Sequence, residues 1–132
     1  MKLIVDTSAV VCIAIGEVDA ETYATALSVA SIKLLPAPAY VECAMVLSGR
    51  LGVTSTTRLA EVLSSAGITI EAFTPEMAIL AITAFHSYGK GRHQASLNFS
   101  DCFVYGAAKA LNLPLLYKGD DFAQTDIISA LT

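Results

Sequence analysis

Charge is scarce in this 132-residue chain. Asp, Glu, Lys and Arg make up 15% of it, against about 25% in an average soluble domain. Together with a hydrophobic content of 55%, this excludes a disordered chain, which needs high charge and low hydrophobicity. A basic excess is also missing. The net charge of −4 excludes a protein that holds nucleic acid by bulk positive charge. It does not exclude a nucleic-acid enzyme whose acids are loaded with metal. Long apolar runs are absent. Mean hydropathy is +0.61, yet no run approaches the ~20 residues of a membrane span. Asp6 interrupts the most apolar stretch, residues 3–15. Lys2 alone does not make the basic start of a secretory signal, so a cytoplasmic protein with no membrane partner is expected. Cysteine is limited to Cys12, Cys43 and Cys102, odd in number and widely spaced. That excludes a disulfide framework and a CxxC metal or redox site; buried free thiols are expected instead.

What is present is a regular alternation. The length suits a single domain, residues 1–132, burying roughly two thirds of the surface its unfolded chain exposes. Residues 2–5 read as a short buried strand ending at Asp6, and residues 8–15 as a helix stopped by Gly16. Asp19 suits the N-cap of a second helix, on which Tyr23, Ala26, Leu27 and Ala30 share one face. A short strand at 33–35 precedes Pro36 and Pro38, and a helix then runs from about Ala39 to Ser48. The next helix begins near Thr54 or Ser55 and ends at Gly67, a good C′ residue. A strand at 68–73 leads into Thr74-Pro75-Glu76, which has the cap, proline and first-turn acid of a helix start reaching to about Tyr88. Residues 86–98 form the one long polar loop, 99–111 a helix, 113–117 the last strand, and 121–124 a short helix. Short apolar strands separated by helices imply an α/β fold with a mostly parallel sheet covered on both faces.

The informative residues are acids where acids are costly. Asp6 ends a buried strand, where an open parallel sheet binds ligands; it would equally serve as a helix N-cap. Glu42 is the lone charge in the otherwise apolar helix 39–47. An all-apolar helix is expected to be buried, and a buried carboxylate must be paired, neutralised or bound to a metal. Asp101 is the lone acid at the start of another apolar helix, where a favourable helix-dipole interaction would also explain it. Asp120 and Asp121 follow the last strand in Lys118-Gly119-Asp120-Asp121-Phe122, which also reads as a turn. One shared acidic pocket explains all of them together. Crowded carboxylates need cations, and oxygen ligands without a His or Cys cluster select Mg²⁺ or Mn²⁺. Setting these five acids aside leaves seven against eight Lys plus Arg, so the rest of the chain is near neutral. Such a site suits hydrolysis of a phosphodiester. The alternative is an acidic, metal-binding regulatory module of receiver type without nuclease activity. Lys118 after the last strand fits it, but Asp6-Thr7 lacks the acid pair it needs. A haloacid-dehalogenase-type phosphatase fails on Asp6-Thr7-Ser8 for want of Asp-x-Asp.

Over nearly its whole length the chain resembles a PIN-domain ribonuclease, specifically a VapC toxin of the VapBC toxin–antitoxin type. The resemblance is carried by Leu3-Ile-Val-Asp-Thr-Ser-Ala9, Gly16-Glu17, Tyr40-Val-Glu-Cys43, residues 97–109 from Leu97-Asn-Phe-Ser-Asp-Cys, residues 115–122 and Thr125-Asp-Ile127. It implies a three-layer α/β/α domain and Mg²⁺- or Mn²⁺-dependent endonuclease cleavage of RNA, tRNA or rRNA. It assigns Asp6, Glu42 and Asp101 as metal-site acids, with the fourth at Asp120 or Asp121. It implies a homodimer and a VapB-type antitoxin that neutralises the site. Ser8 would hold a water or phosphate, or cap the first helix. Asn98 would support the site, or cap the helix that follows it. Lys90, Arg92 and His93 of the long loop would meet RNA, or be solvated surface. Arg50 at a helix end would face substrate or antitoxin, or complement its helix terminus. The chain departs from the family where Ser100 replaces the Gly often found before the third acid, and where the loop residues His93-Gln-Ala-Ser96 are more polar.

Overall fold

The first apolar run forms β1 (Lys2–Val5), with Leu3, Ile4 and Val5 fully buried. The computed structural model describes residues 1–131; Thr132, the last residue of the expected domain, lies outside the described residues. The order continues with α1 (Thr7–Ile15), α2 (Ala20–Val29), β2 (Ile32–Pro36) and α3 (Ala37–Leu51). A 3₁₀ turn then leads to α4 (Ser55–Ala66), β3 (Thr69–Glu71), α5 (Pro75–Tyr88), α6 (Phe99–Leu111), β4 (Leu115–Leu116) and a 3₁₀ turn at Phe122–Gln124.

The four strands lie in the order β3-β2-β1-β4, every pair parallel. Parallel neighbours need crossover connections, and crossovers are right-handed. The step from β1 to β2 to β3 moves one way across the sheet, and the step from β3 to β4 moves back. The helices of the two legs therefore cover opposite faces, with α5 and α6 packed together on theirs. The fold is the expected three-layer α/β/α arrangement. Its direction reverses between β1 and β4, and the carboxyl ends of strands beside such a reversal are where α/β sheets bind ligands. Asp6 follows β1, and the Lys118–Phe122 turn follows β4.

Several boundaries differ from expectation for local reasons. Helix α3 starts two residues early because Pro38 sits in its first turn, where a missing N–H costs nothing. It also runs through Gly49 to Leu51. Strand β4 is two residues long, yet the tail reinforces it through a parallel bridge from Ser129 to Leu115. Asp19 makes no side-chain cap on α2. Its carboxylate instead accepts the Cys12 thiol and the Lys118 ammonium. The three cysteines are free and buried, as expected.

Helix α3 requires a correction. It is apolar on all sides but not buried on all sides. Ala39, Cys43 and Leu47 face the core, while Val41 and Met45 are 55% and 71% exposed. Glu42 lies on the boundary and is half-buried, not fully buried. Among the described residues no helix is long and apolar enough to cross a membrane.

Candidate metal centre

Asp6 is the deepest of the candidate acids, 5% exposed. It caps α1: its Oδ2 accepts the Ser8 N–H at 3.0 Å and the Ser8 hydroxyl at 2.5 Å. The cap and ligand readings of Asp6 are therefore not exclusive. Burial, resisted by the Ser8 hydrogen bonds and reinforced by the Glu42 charge, pushes its carboxyl up to about 6. Ser8 has a second connection. Its Oγ accepts the Lys118 N–H at 2.9 Å, so one hydroxyl joins the chain after β4 to the acid after β1.

Asp101 stands at N3 of α6 in a reciprocal capping box. Its N–H donates to Asn98 Oδ1 at 2.8 Å, and its Oδ2 accepts the Asn98 N–H at 3.0 Å. Its carboxyl is pushed up to about 7, by burial first and then by the negative charges of Asp6, Asp121 and Glu42. Asp101, on α6, thus feels acids that come from the end of β1, from α3 and from the turn after β4. Desolvation plus like charge in one cleft is the electrostatic signature of a functional site. Asp120 and Asp121 are both exposed, and the Asp121 charge is one of those that act on Asp101.

Glu42 is held by a contact that sequence reasoning missed. The Ser100 hydroxyl donates to its Oε1 at 2.7 Å, bridging α6 to α3. Thr7 makes a parallel tie, its Oγ1 donating to the Ala39 carbonyl at 3.3 Å.

A PIN-domain family model matches residues 3–128. Ribonuclease VapC30 of Mycobacterium tuberculosis is 41% identical over 125 residues, 95% of each chain. Ribonuclease VapC36 of the same organism is 44% identical over 126 residues, 95% of this chain and 91% of that one. The chain belongs to the PIN-domain family, in its VapC branch. Among solved structures, the fold is similar to that of M. tuberculosis VapC20, described as a sarcin-ricin loop cleaving toxin. The TM-score is 0.76 at 15% identity, covering 96% of this chain and 97% of that one.

In this PIN domain the other expected residues are placed differently. Lys118 is turned away from the acids, its Nζ lying 2.8 Å from Asp19 and 3.2 Å from Glu17. The hydrogen bond to Asp19 leads the causes that raise its proton affinity, and it lowers that of Asp19. A receiver-like role, with that lysine in the acid pocket, is not supported by this arrangement. Lys90 lines an apolar groove of about 480 Å³ between α5 and α6, beside Phe85, Phe99 and Phe103. The Arg92 guanidinium lies over the Phe85 ring at 4.8 Å. His93 Nδ1 accepts the Ala95 N–H, and its ring meets Tyr88 edge-on. The long loop is thus folded on itself and begins at Gly89, three residues later than expected. Among the described residues, none of Lys90, Arg92, His93 and Arg50 makes an ion pair.

The donor chemistry suits a divalent cation, with four carboxylates, two of them reluctant to ionise, and oxygen as the donor atom throughout. Among the described residues, no three His, Cys, Asp or Glu side chains form a ready-made cage. Oxygen donors of this kind suit Mg²⁺, which keeps several waters and takes one or two carboxylates from a protein. They do not fit a structural zinc site.

Proposed function

We propose that the chain is a metal-dependent endoribonuclease toxin of a toxin–antitoxin pair, hydrolysing RNA phosphodiester bonds. The observation that carries this reading is the crowding of carboxylates at the sheet's reversal point, where buried Asp6 and half-buried Asp101 feel the negative charge of Glu42, and Asp101 that of Asp121 as well. The VapC ribonucleases at about 40% identity support the same activity.

Mg²⁺ or Mn²⁺ held by Asp6 and Asp101, with Glu42 and Asp121 beside them, would neutralise phosphate oxygens and activate water. The protein's own residues supply the placement. Ser8 fixes the Asp6 carboxylate and ties it to the backbone of Lys118. Asn98 fixes the first turn of α6, and with it Asp101. Asp121, whose charge acts on Asp101, is proposed as the fourth acid rather than Asp120. Lys90 and Arg92 are the cations proposed to meet the RNA backbone, a salt-sensitive contact. The RNA is proposed to be tRNA or rRNA.

The partners follow from the surface and the charge. Val41, Met45, Ile79, Ile82 and Phe99 are large apolar side chains left exposed on α3, α5 and α6. Apolar surface of this kind marks protein interfaces, and a homodimer is the proposed occupant. A VapB-type antitoxin would neutralise the protein most directly by sending a basic side chain into the acidic pocket.

The test is cleavage of total cellular RNA by antitoxin-free protein with added Mg²⁺ or Mn²⁺, comparing wild type, Asp6→Asn and Asp101→Asn. Discrete metal-dependent products that vanish in both variants are expected. Cleavage that survives both substitutions would place the active site elsewhere.

A further inference from the structure

Glu42 reaches the acidic pocket from α3, yet nothing on α3 holds its carboxylate. Among the described residues its only hydrogen bond comes from Ser100 on the opposite helix, hydroxyl to Oε1 at 2.7 Å. Glutamate has three side-chain torsions to fix, and immobilising it costs their conformational freedom. The negative charges of Asp6 and Asp101 oppose its approach. A half-buried Glu42 without a donor would swing toward water. The Ser100 hydroxyl supplies that donor without adding charge. It uses one carboxylate oxygen and leaves Oε2 unbonded. Ser100 also directly precedes Asp101, so one helical turn orients two of the four acids. A glycine at position 100 would offer no such donor.

We infer that Ser100 is a positioning residue, which holds Glu42 toward the cation and so raises the site's metal affinity. The inference rests on the metal-site reading above and deepens it. Carboxylate ligands are oriented by hydrogen bonds from outside the coordination shell, and losing such a partner typically costs about 10–100-fold in metal affinity.

The experiment is Mn²⁺ binding to the antitoxin-free protein, read by the loss of the free-ion electron paramagnetic resonance signal. It compares wild type, Ser100→Ala, Ser100→Thr, Glu42→Gln and the Ser100→Ala/Glu42→Gln double variant. Ser100→Ala is expected to weaken Mn²⁺ binding about tenfold. Ser100→Thr, which keeps the hydroxyl, is expected to stay within about twofold of wild type. In the Glu42→Gln background, removing the hydroxyl is expected to cost little more, because the carboxylate it serves is gone. Wild-type affinity in Ser100→Ala, or an equal loss in both backgrounds, overturns the positioning role and leaves the metal site standing. Absence of Mn²⁺ binding by the folded wild type overturns the metal-site reading, and this inference with it.

Discussion

Asp6 has two demands on one carboxylate. As the cap of α1 it accepts two hydrogen bonds from Ser8, which favour its charged form. Buried next to Glu42, it has its carboxyl pushed from the ordinary 3.8 up to about 6. The sign of the consequence follows from linkage. Between about pH 4 and pH 6 the native state keeps a proton that the unfolded chain has released, so stability falls as pH rises through that window. Asp101, pushed up to about 7, extends the fall toward neutrality. Asparagine at position 6 still caps a helix and carries no charge. In metal-free protein, Asp6→Asn is therefore expected to reduce the pH dependence, leaving the Asp101 part, and to gain up to about 3 kcal/mol near pH 7.5. Urea unfolding in a chelator at about pH 4.5 and 7.5 measures both quantities, and an unchanged pH slope refutes the account. Asp120 and Asp121 are told apart at the same scale. Asp121→Asn is expected to lose at least tenfold in RNA cleavage, by removing a charge that acts on Asp101. Asp120→Asn is expected to stay near wild type in the same assay, and equal losses would count against Asp121 as the fourth acid.

At the scale of elements, two helical glycines are expected to respond oppositely to alanine. A Cβ on Gly106 in α6 would lie 2.3 Å from the Met77 carbonyl of α5 and 3.1 Å from the Ala81 nitrogen. These are backbone atoms of a packed neighbour, so the helices must separate, and a loss of about 1–3 kcal/mol is expected. A Cβ on Gly49 in α3 meets nothing within 4 Å. There the ordinary helix preference for alanine governs, and a gain of roughly 0.5–1 kcal/mol is expected. Thermal unfolding of both variants reads the pair, and two shifts of the same sign would refute the packing argument. The same comparison shows what a sequence conveys about elements. Strand and helix order followed from apolar runs and caps, because Thr74 and Asn98 bond their own helix starts. Helix ends were harder to read. Gly49 looked like a stop, and Pro38 like an obstacle, because their effect depends on position within the turn and not on residue type.

For the whole molecule, the candidate acids and their expected grouping in one pocket were read from the sequence, but the contacts that hold them were not. Asp6, Glu42 and Asp101 stood out as lone charges in apolar surroundings, whereas the Ser100 contact joins residues 58 apart in sequence and has no local signal. Lys118 misled for a related reason. Its place after the last strand was readable, but its direction depends on the α1–α2 turn, where Glu17 and Asp19 draw it aside. The apolar surplus was legible as composition, but α3 was expected to be buried on all sides, whereas it carries part of that surplus on its outer face. A small domain has too little interior for it, so part of α3 and α5 stays outside. If that surface joins two copies, Met45→Asp and Ile82→Asp, at side chains 71% and 60% exposed, are expected to shift the protein toward monomer. Light scattering measures this, and a monomeric wild type would remove the dimer from the proposal.

Strand order has a consequence in time as well as in space. A chain is synthesised from its N-terminus at ~5–20 residues per second. β1 is made first, but its neighbour on one side, β4, is nearly the last element made. Asp6 therefore precedes Asp121 off the ribosome by roughly 6–20 s. Throughout that interval the growing chain carries the first acids of the centre without the turn that closes it. A chain stopped after Pro114 is expected to leave cellular RNA intact, and cutting by it would contradict this order of completion. For the proposed toxin, synthesis would separate making the protein from arming it, and a waiting antitoxin would meet each copy only as it becomes dangerous.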